Sequence, residues 1–116
     1  MKEFQHKGMA SGKWSQFSLV EQLANIGSEV GRSIRWFKAN DKERFESSFI
    51  RALELFELTL ADNRWKGRRK EIARSKEVFC SLLTEPEFFK EIDHEFDSLN
   101  EYFLQFGIAA NAKKGR

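Results

Sequence analysis

Apolar residues in this chain recur every three or four positions, and most of these runs open on a residue able to cap a helix. In the first, Leu19, Leu23, Ile26, Val30, Ile34 and Phe37 step by 4, 3, 4, 4 and 3. That period puts them on one stripe of an amphipathic helix. Ser18-Leu19-Val20-Glu21 stands in front as a capping box, the serine hydroxyl accepting from the third amide while the glutamate reaches back. The spacing predicts a helix over 18–39.

Asn40-Asp41-Lys42-Glu43 repeats the cap pattern and opens a second helix over 41–61. Its stripe is Phe45, Phe49, Ala52, Leu53, Phe56 and Leu60, widened by Ile50, Leu55 and Leu58, with Glu46, Glu54 and Glu57 left for the surface. A third helix over 66–84 carries Ile72, Phe79, Leu82 and Leu83 inward, and Gly67 weakens its first turn. Pro86, the one proline, suits the first position of a short helix over 86–93 that would bury Phe88, Phe89 and Ile92. Ser98-Leu99-Asn100-Glu101 reads as a further capping box, opening a last helix over 98–112 with Leu99, Phe103, Phe106 and Ala110 inward.

Four helices on short connections, with no strand period, predict an all-α protein: an antiparallel up-and-down four-helix bundle with one short extra helix. The bundle domain covers 16–112, between a flexible N-terminal arm (1–15, with Trp14 a candidate anchor) and a basic tail (113–116). The expected core is Leu23, Ile26, Val30, Ile34, Phe45, Phe49, Leu53, Phe56, Ile72, Phe79, Leu83, Phe103 and Phe106. Twelve Phe and three Trp supply that core with area, and 41% apolar residues at a net charge of +2 exclude a disordered chain. Cys80 is the single cysteine, inside an apolar run, and reads as a buried thiol in a reducing, cytoplasmic setting. The first residues, MKEFQHKGMASGKW, do not resemble a signal peptide, and no window is apolar enough for a membrane span.

Charge is strongly segregated under the small total. Arg64, Lys66, Arg68, Arg69, Lys70, Arg74 and Lys76 face one acid, Glu71, so 64–76 carries a net +6. From 85 to 101 seven acids (Glu85, Glu87, Glu91, Asp93, Glu95, Asp97, Glu101) face Lys90 alone, a net −6. On a helical wheel Lys66, Lys70 and Arg74 point away from the core, whereas Arg68, Arg69 and Lys76 border the apolar stripe. The first set is the candidate nucleic-acid ligand set, following a phosphate backbone with Arg68 and Arg69 alongside and Trp65 stacking on a base. The competing reading is a solvated face whose arginines pair with acids of neighbouring helices.

Gly27 and Gly31 lie four apart inside the first helix, where each costs about 1 kcal/mol relative to alanine. Close approach of another helix, within the chain or in a homo-oligomer, would compensate. Glu91-Ile92-Asp93-His94 has the Glu-x-x-His spacing of di-iron bundles. Those sites need two such motifs and two further glutamates, so neither a metal nor another cofactor is expected, and His94 reads as a surface group. No phosphate loop, metal-ligand spacing or nucleophile with its base is present, and the chain reads as a non-enzymatic binding module. Its expected partners are itself, and nucleic acid or a nucleoprotein; the alternative is an accessory factor recognising a charged protein, with no membrane involved.

The stretches FSLVEQLANIGSEVGRSI (17–34) and RALELFELTLADNRWKGRRKEIARSKEVF (51–79) resemble small uncharacterised prokaryotic helical proteins, over roughly residues 14–112. In outline the chain is also similar to the four-helix bundles encoded in ribosomal RNA intervening sequences. Relatives of those bundles accompany retroelement reverse transcriptases as basic oligomers that bind nucleic acid and the polymerase. That likeness implies a helical bundle and, by analogy, a nucleic-acid partner.

Overall fold

A computed structural model describes residues 12–114, and every regular element among them is helical. Four α-helices, α1 (Leu19–Lys38), α2 (Lys42–Ala61), α3 (Arg69–Thr84) and α4 (Ile92–Lys114), alternate with short 3₁₀ turns at Lys13–Gln16, Asn63–Arg68 and Pro86–Phe88. Each helix packs against its chain neighbours and α4 closes back on α1, which gives the up-and-down four-helix bundle. Helix α1 is held closest, between α2 and α4, while α3 sits less tightly on the same two helices.

The first two cap readings match the structure. Ser18 Oγ accepts from the Glu21 amide at 3.2 Å and Glu21 Oε1 accepts from the Ser18 amide at 2.9 Å. Asp41 caps α2 by accepting from the Arg44 amide at 3.1 Å, after Asn40 has turned the chain through positive φ (57°). The third differs. Ser98 lies inside α4, which starts six residues earlier, at Ile92. Ile92, Phe96, Leu99, Phe103, Phe106 and Ala110 form one unbroken stripe, and its burial outweighs the local turn preference of Ser98 and Asn100. The short helix expected over 86–93 contracts to one 3₁₀ turn, and Phe88, expected inside, is 75% exposed. Helix α3 begins after Gly67, which falls in the preceding turn.

The core centres on Leu23, Ile26, Val30, Ile34, Phe56, Ile72, Phe79, Leu83 and Phe103, with Trp14, Ala52, Leu55, Leu82, Phe96 and Leu99 completing it. Phe45, Phe49, Leu53 and Phe106 pack against it only partly buried. An aromatic chain runs Phe37–Phe45–Phe49–Phe79–Phe56–Phe103, with successive centroids 5.3 to 6.1 Å apart. Cys80 is half-buried rather than buried, and desolvation pushes its thiol pKa up. Glu54, expected on the surface, is buried.

Because α1 lies between two helices, it buries two faces. Gln22, Ile26, Glu29 and Ser33 line one of them, where Glu29 meets Arg51 of α2 at 3.3 Å and Arg32 at 2.8 Å. Gly27 lies on the other, and a Cβ placed there would fall 2.6 Å from Phe103 Cβ of α4. Gly31 is looser, its nearest neighbour being Asn100 Oδ1 at 3.8 Å. The neighbour that Gly27 accommodates is therefore α4 of the same chain. The arm expected over 1–15 lies, for residues 1–11, outside the described residues, as does the end of the 113–116 tail. No described helix is long and apolar enough to cross a membrane.

Candidate nucleic-acid interface

The basic segment begins where α2 ends, and its first half folds back on the bundle. Asp62 accepts from the Arg64 amide at 3.1 Å and forms a 2.6 Å ion pair with the Arg64 guanidinium. That guanidinium also donates to the Phe17 carbonyl at 2.9 Å and covers the Trp65 ring at 4.4 Å. The Arg64 hydrogen bond outweighs burial and holds the Asp62 carboxyl down to about 2. Trp65 Nε1 donates to Gln22 Oε1 at 3.0 Å, and Gln22 Nε2 donates to the Trp14 carbonyl at 3.0 Å and to Asp62 Oδ2 at 3.3 Å. Trp14, 3% exposed, donates in turn to Thr59 Oγ1 at 3.0 Å. A buried amide thus ties the N-terminal turn, α1 and the 62–65 turn into one polar node.

This corrects the reading of Trp65 as a platform for a base. Its indole N–H is spent on Gln22, its ring packs against the core cluster, and Arg64 lies over it. The node was missed in the sequence because Gln22 looks like a surface residue one position before Leu23. The available signal was spacing: 22, 26, 29 and 33 recur at 4, 3 and 4, as a second buried face would.

Beyond the turn the cations divide. Arg68 forks onto Glu71 at 3.0 and 3.2 Å, and Glu71 also accepts from the Tyr102 hydroxyl of α4 at 2.6 Å. These bonds, Arg68 first, lower the Glu71 pKa, while burial and then the carboxylate raise that of Tyr102. Arg69 Nε donates to the Leu60 carbonyl at 3.0 Å, closing the end of α2, and its other arm reaches Asn63 at 3.3 Å. Arg68 and Arg69 are therefore occupied by the chain itself. Lys66, Lys70 and Arg74 are exposed and make no ion pair among the described residues. Lys70 and Arg74 lie one turn apart on α3, about 6 Å at helical rise, and Lys66 precedes them in the 3₁₀ turn. Arg74 shares a groove of about 290 Å³ between α3 and α4 with Glu71 and Glu95, above Val78 and Leu99. Those acids temper its potential, so the track is most positive toward Lys66 and Lys70.

No ion pair among the described residues joins 64–76 to 85–101; the acidic stretch contributes only Asp93, 3.7 Å from Lys38 of α1. Among the described residues the two charged segments therefore meet only where Arg74 and Glu95 share the α3–α4 groove, without an ion pair. His94 is exposed, and no group of three or more His, Cys, Asp or Glu side chains suited to a metal converges among the described residues. Comparisons with protein-family models, curated proteins and solved structures find no match for this chain, so its functional reading rests on its own geometry.

Proposed function

We propose that this protein is a non-enzymatic binding module of the cytoplasm that takes the phosphate backbone of a nucleic acid along Lys66, Lys70 and Arg74. The observation that carries the reading is the division inside one segment. Arg64, Arg68 and Arg69 are consumed by internal partners, while Lys66, Lys70 and Arg74 stay exposed and make no ion pair among the described residues. With Trp65 engaged inside, recognition is of phosphate and independent of sequence. Three neutralised phosphates on a duplex give a salt slope of about −2.7, so raising salt fourfold weakens binding about 40-fold. Fluorescence anisotropy with mixed RNA and DNA at low and moderate salt measures it. K66E/K70E/R74E is expected to abolish binding and keep the fold. Binding that survives the triple reversal, or that is absent at low salt, removes the proposal.

A second reading has its own support in the acidic connection after α3. Glu85, Glu87 and Glu91 are exposed there, and Phe88 stands out among them at 75% exposure. That surface suits a basic protein partner that also offers an apolar pocket. It takes precedence if nucleic acid fails to bind.

A further inference from the structure

The groove between α3 and α4 holds side chains that a phosphate track does not use. Its volume of about 290 Å³ is near the lower end of ligand pockets, about 300 Å³, and suits one flat heterocycle. Val78 and Leu99 form its floor, and half-buried Tyr102 adds an aromatic ring. Arg74, the last of the three track cations, stands at this groove with Glu71 and Glu95. Arg68 and Tyr102 bond to Glu71 and lower its pKa, so it stays an ionised acceptor. Their three hydrogen bonds leave that carboxylate room for one more. Glu95 makes no ion pair among the described residues.

We propose that this groove takes an unpaired base from a single strand whose phosphates follow Lys66, Lys70 and Arg74, and that it selects a base carrying an exocyclic amino group. Phosphate binding along those three side chains is the premise; the groove adds a strand type and a base preference to it. Position supplies the occupant, because a strand followed as far as Arg74 brings its next nucleotide over Val78 and Leu99. The charges agree. Two carboxylates at the end of the track repel a phosphate, yet they accept from the N–H edge of a base while Arg74 holds the phosphate alongside. Cytosine offers its N4 amino group to such an acceptor. Uracil presents the O4 carbonyl at the same place, which a carboxylate repels. The apolar floor and the Tyr102 ring cover the flat surface of the base. A duplex keeps its bases stacked and paired, so it meets the track alone.

Fluorescence anisotropy with labelled oligo(dC), oligo(dU) and a mixed-sequence duplex, at neutral pH and low salt, tests the groove. Oligo(dC) should bind about tenfold more tightly than oligo(dU), the effect of exchanging a donor for an acceptor opposite a carboxylate. Glu95→Gln should bring the two strands within about twofold of each other, because an amide serves a carbonyl as well as an amino group. Ser98→Trp fills the groove from an exposed position and should weaken oligo(dC) about tenfold while leaving the duplex unchanged. Far-UV circular dichroism and melting of both variants should match the parent. Equal affinity for oligo(dC) and oligo(dU) in the parent overturns the proposal, as does a preference that survives both variants. Duplex and single strands bound alike, and lost with K66E/K70E/R74E, would leave the track standing without the groove. No binding of any probe removes track and groove together, and leaves the groove to an apolar side chain of a protein partner.

Discussion

The stretches Asp62–Trp65 and Lys66–Arg74 adjoin in sequence, the first with one cation and the second with five, yet the bundle binds Arg64 internally and leaves Lys66, Lys70 and Arg74 outside. In the first, Arg64 is fixed by a carboxylate, a carbonyl and an indole face, and Trp65 is fixed by Gln22. In the second, Lys66, Lys70 and Arg74 reach no carboxylate, although the chain offers seven acids only twenty residues further on. The difference lies in what each side chain can reach. The first stretch crosses the end of the bundle, where the N-terminal turn presents the Phe17 carbonyl to Arg64. In the second, Arg68 and Arg69 still find partners in Glu71 and the α2 end, whereas Lys66, Lys70 and Arg74 point to sides where no ion pair forms among the described residues. Arginine also suits the first role better, because its planar fork satisfies several acceptors at once. Residue type therefore says less about a cation here than the element standing opposite it.

The comparison breaks most severely at Trp14. Replacing Trp14 by alanine should cost about 3–5 kcal/mol, since it empties a buried site and strands the hydroxyl of Thr59. Trp14→Phe retains most of the apolar area and loses the 3.0 Å bond to Thr59, which should cost about 1–2 kcal/mol. Urea titration of each variant measures both. If Trp14→Ala unfolds like the parent, the N-terminal turn is not part of the cooperative unit and the node is not what closes this end.

Next in size is a pair of substitutions on α1 with opposite signs. Gly27→Ala gains helix propensity but drives its Cβ to 2.6 Å from Phe103 Cβ, so α4 must move, a net cost of about 1–3 kcal/mol. Gly31→Ala meets nothing nearer than 3.8 Å and should stabilise by up to about 1 kcal/mol. Thermal melts of the two variants side by side decide whether α1 and α4 approach as described.

These effects also mark how far the sequence could be read. The helical stripes were legible because burial enforces their period, and the Ser18 and Asp41 caps were legible because each stands just outside a stripe. Ser98 misled because its capping pattern is complete in itself; only Phe96, midway between Ile92 and Leu99, indicates that the helix has already begun. Phe88 misled because hydrophobicity does not entail burial in a connection that leaves this side chain 75% exposed. For the basic segment, the wheel separated outward Lys66, Lys70 and Arg74 from Arg68 and Arg69 at the core's edge. It could not reveal Gln22, two of whose partners, Asp62 and Trp65, lie forty or more positions away.

A smaller effect is acid sensitivity at the node. The folded Asp62 carboxyl, at about 2, lies below its ordinary value of 3.8. A depressed acid contributes stability that is fully present above the unfolded pKa and is lost as pH falls through the folded one. The parent should therefore lose stability between about pH 4 and 2 more steeply than Asp62→Asn. Equal slopes for the two would mean that Arg64 does not hold this carboxylate in solution.

The smallest expected effect on stability belongs to the substitutions expected to matter most for binding. K66E/K70E/R74E changes the net charge by −6, from +2 to −4. Lys70 stands in the first turn of α3, with Lys66 in the 3₁₀ turn just before it, where an acid interacts favourably with the helix dipole by about 0.3–1 kcal/mol. Glutamate at position 74 works the other way, beside Glu71 and Glu95 at the same groove. Since no ion pair among the described residues is lost, these terms should nearly cancel and leave stability within about 0.5 kcal/mol of the parent. Chemical denaturation at moderate salt is the measurement. A loss of 2 kcal/mol or more would show that Lys66, Lys70 and Arg74 hold the bundle together as Arg64 and Arg69 do. The contrast between the two stretches would then fail, and the proposed phosphate track with it.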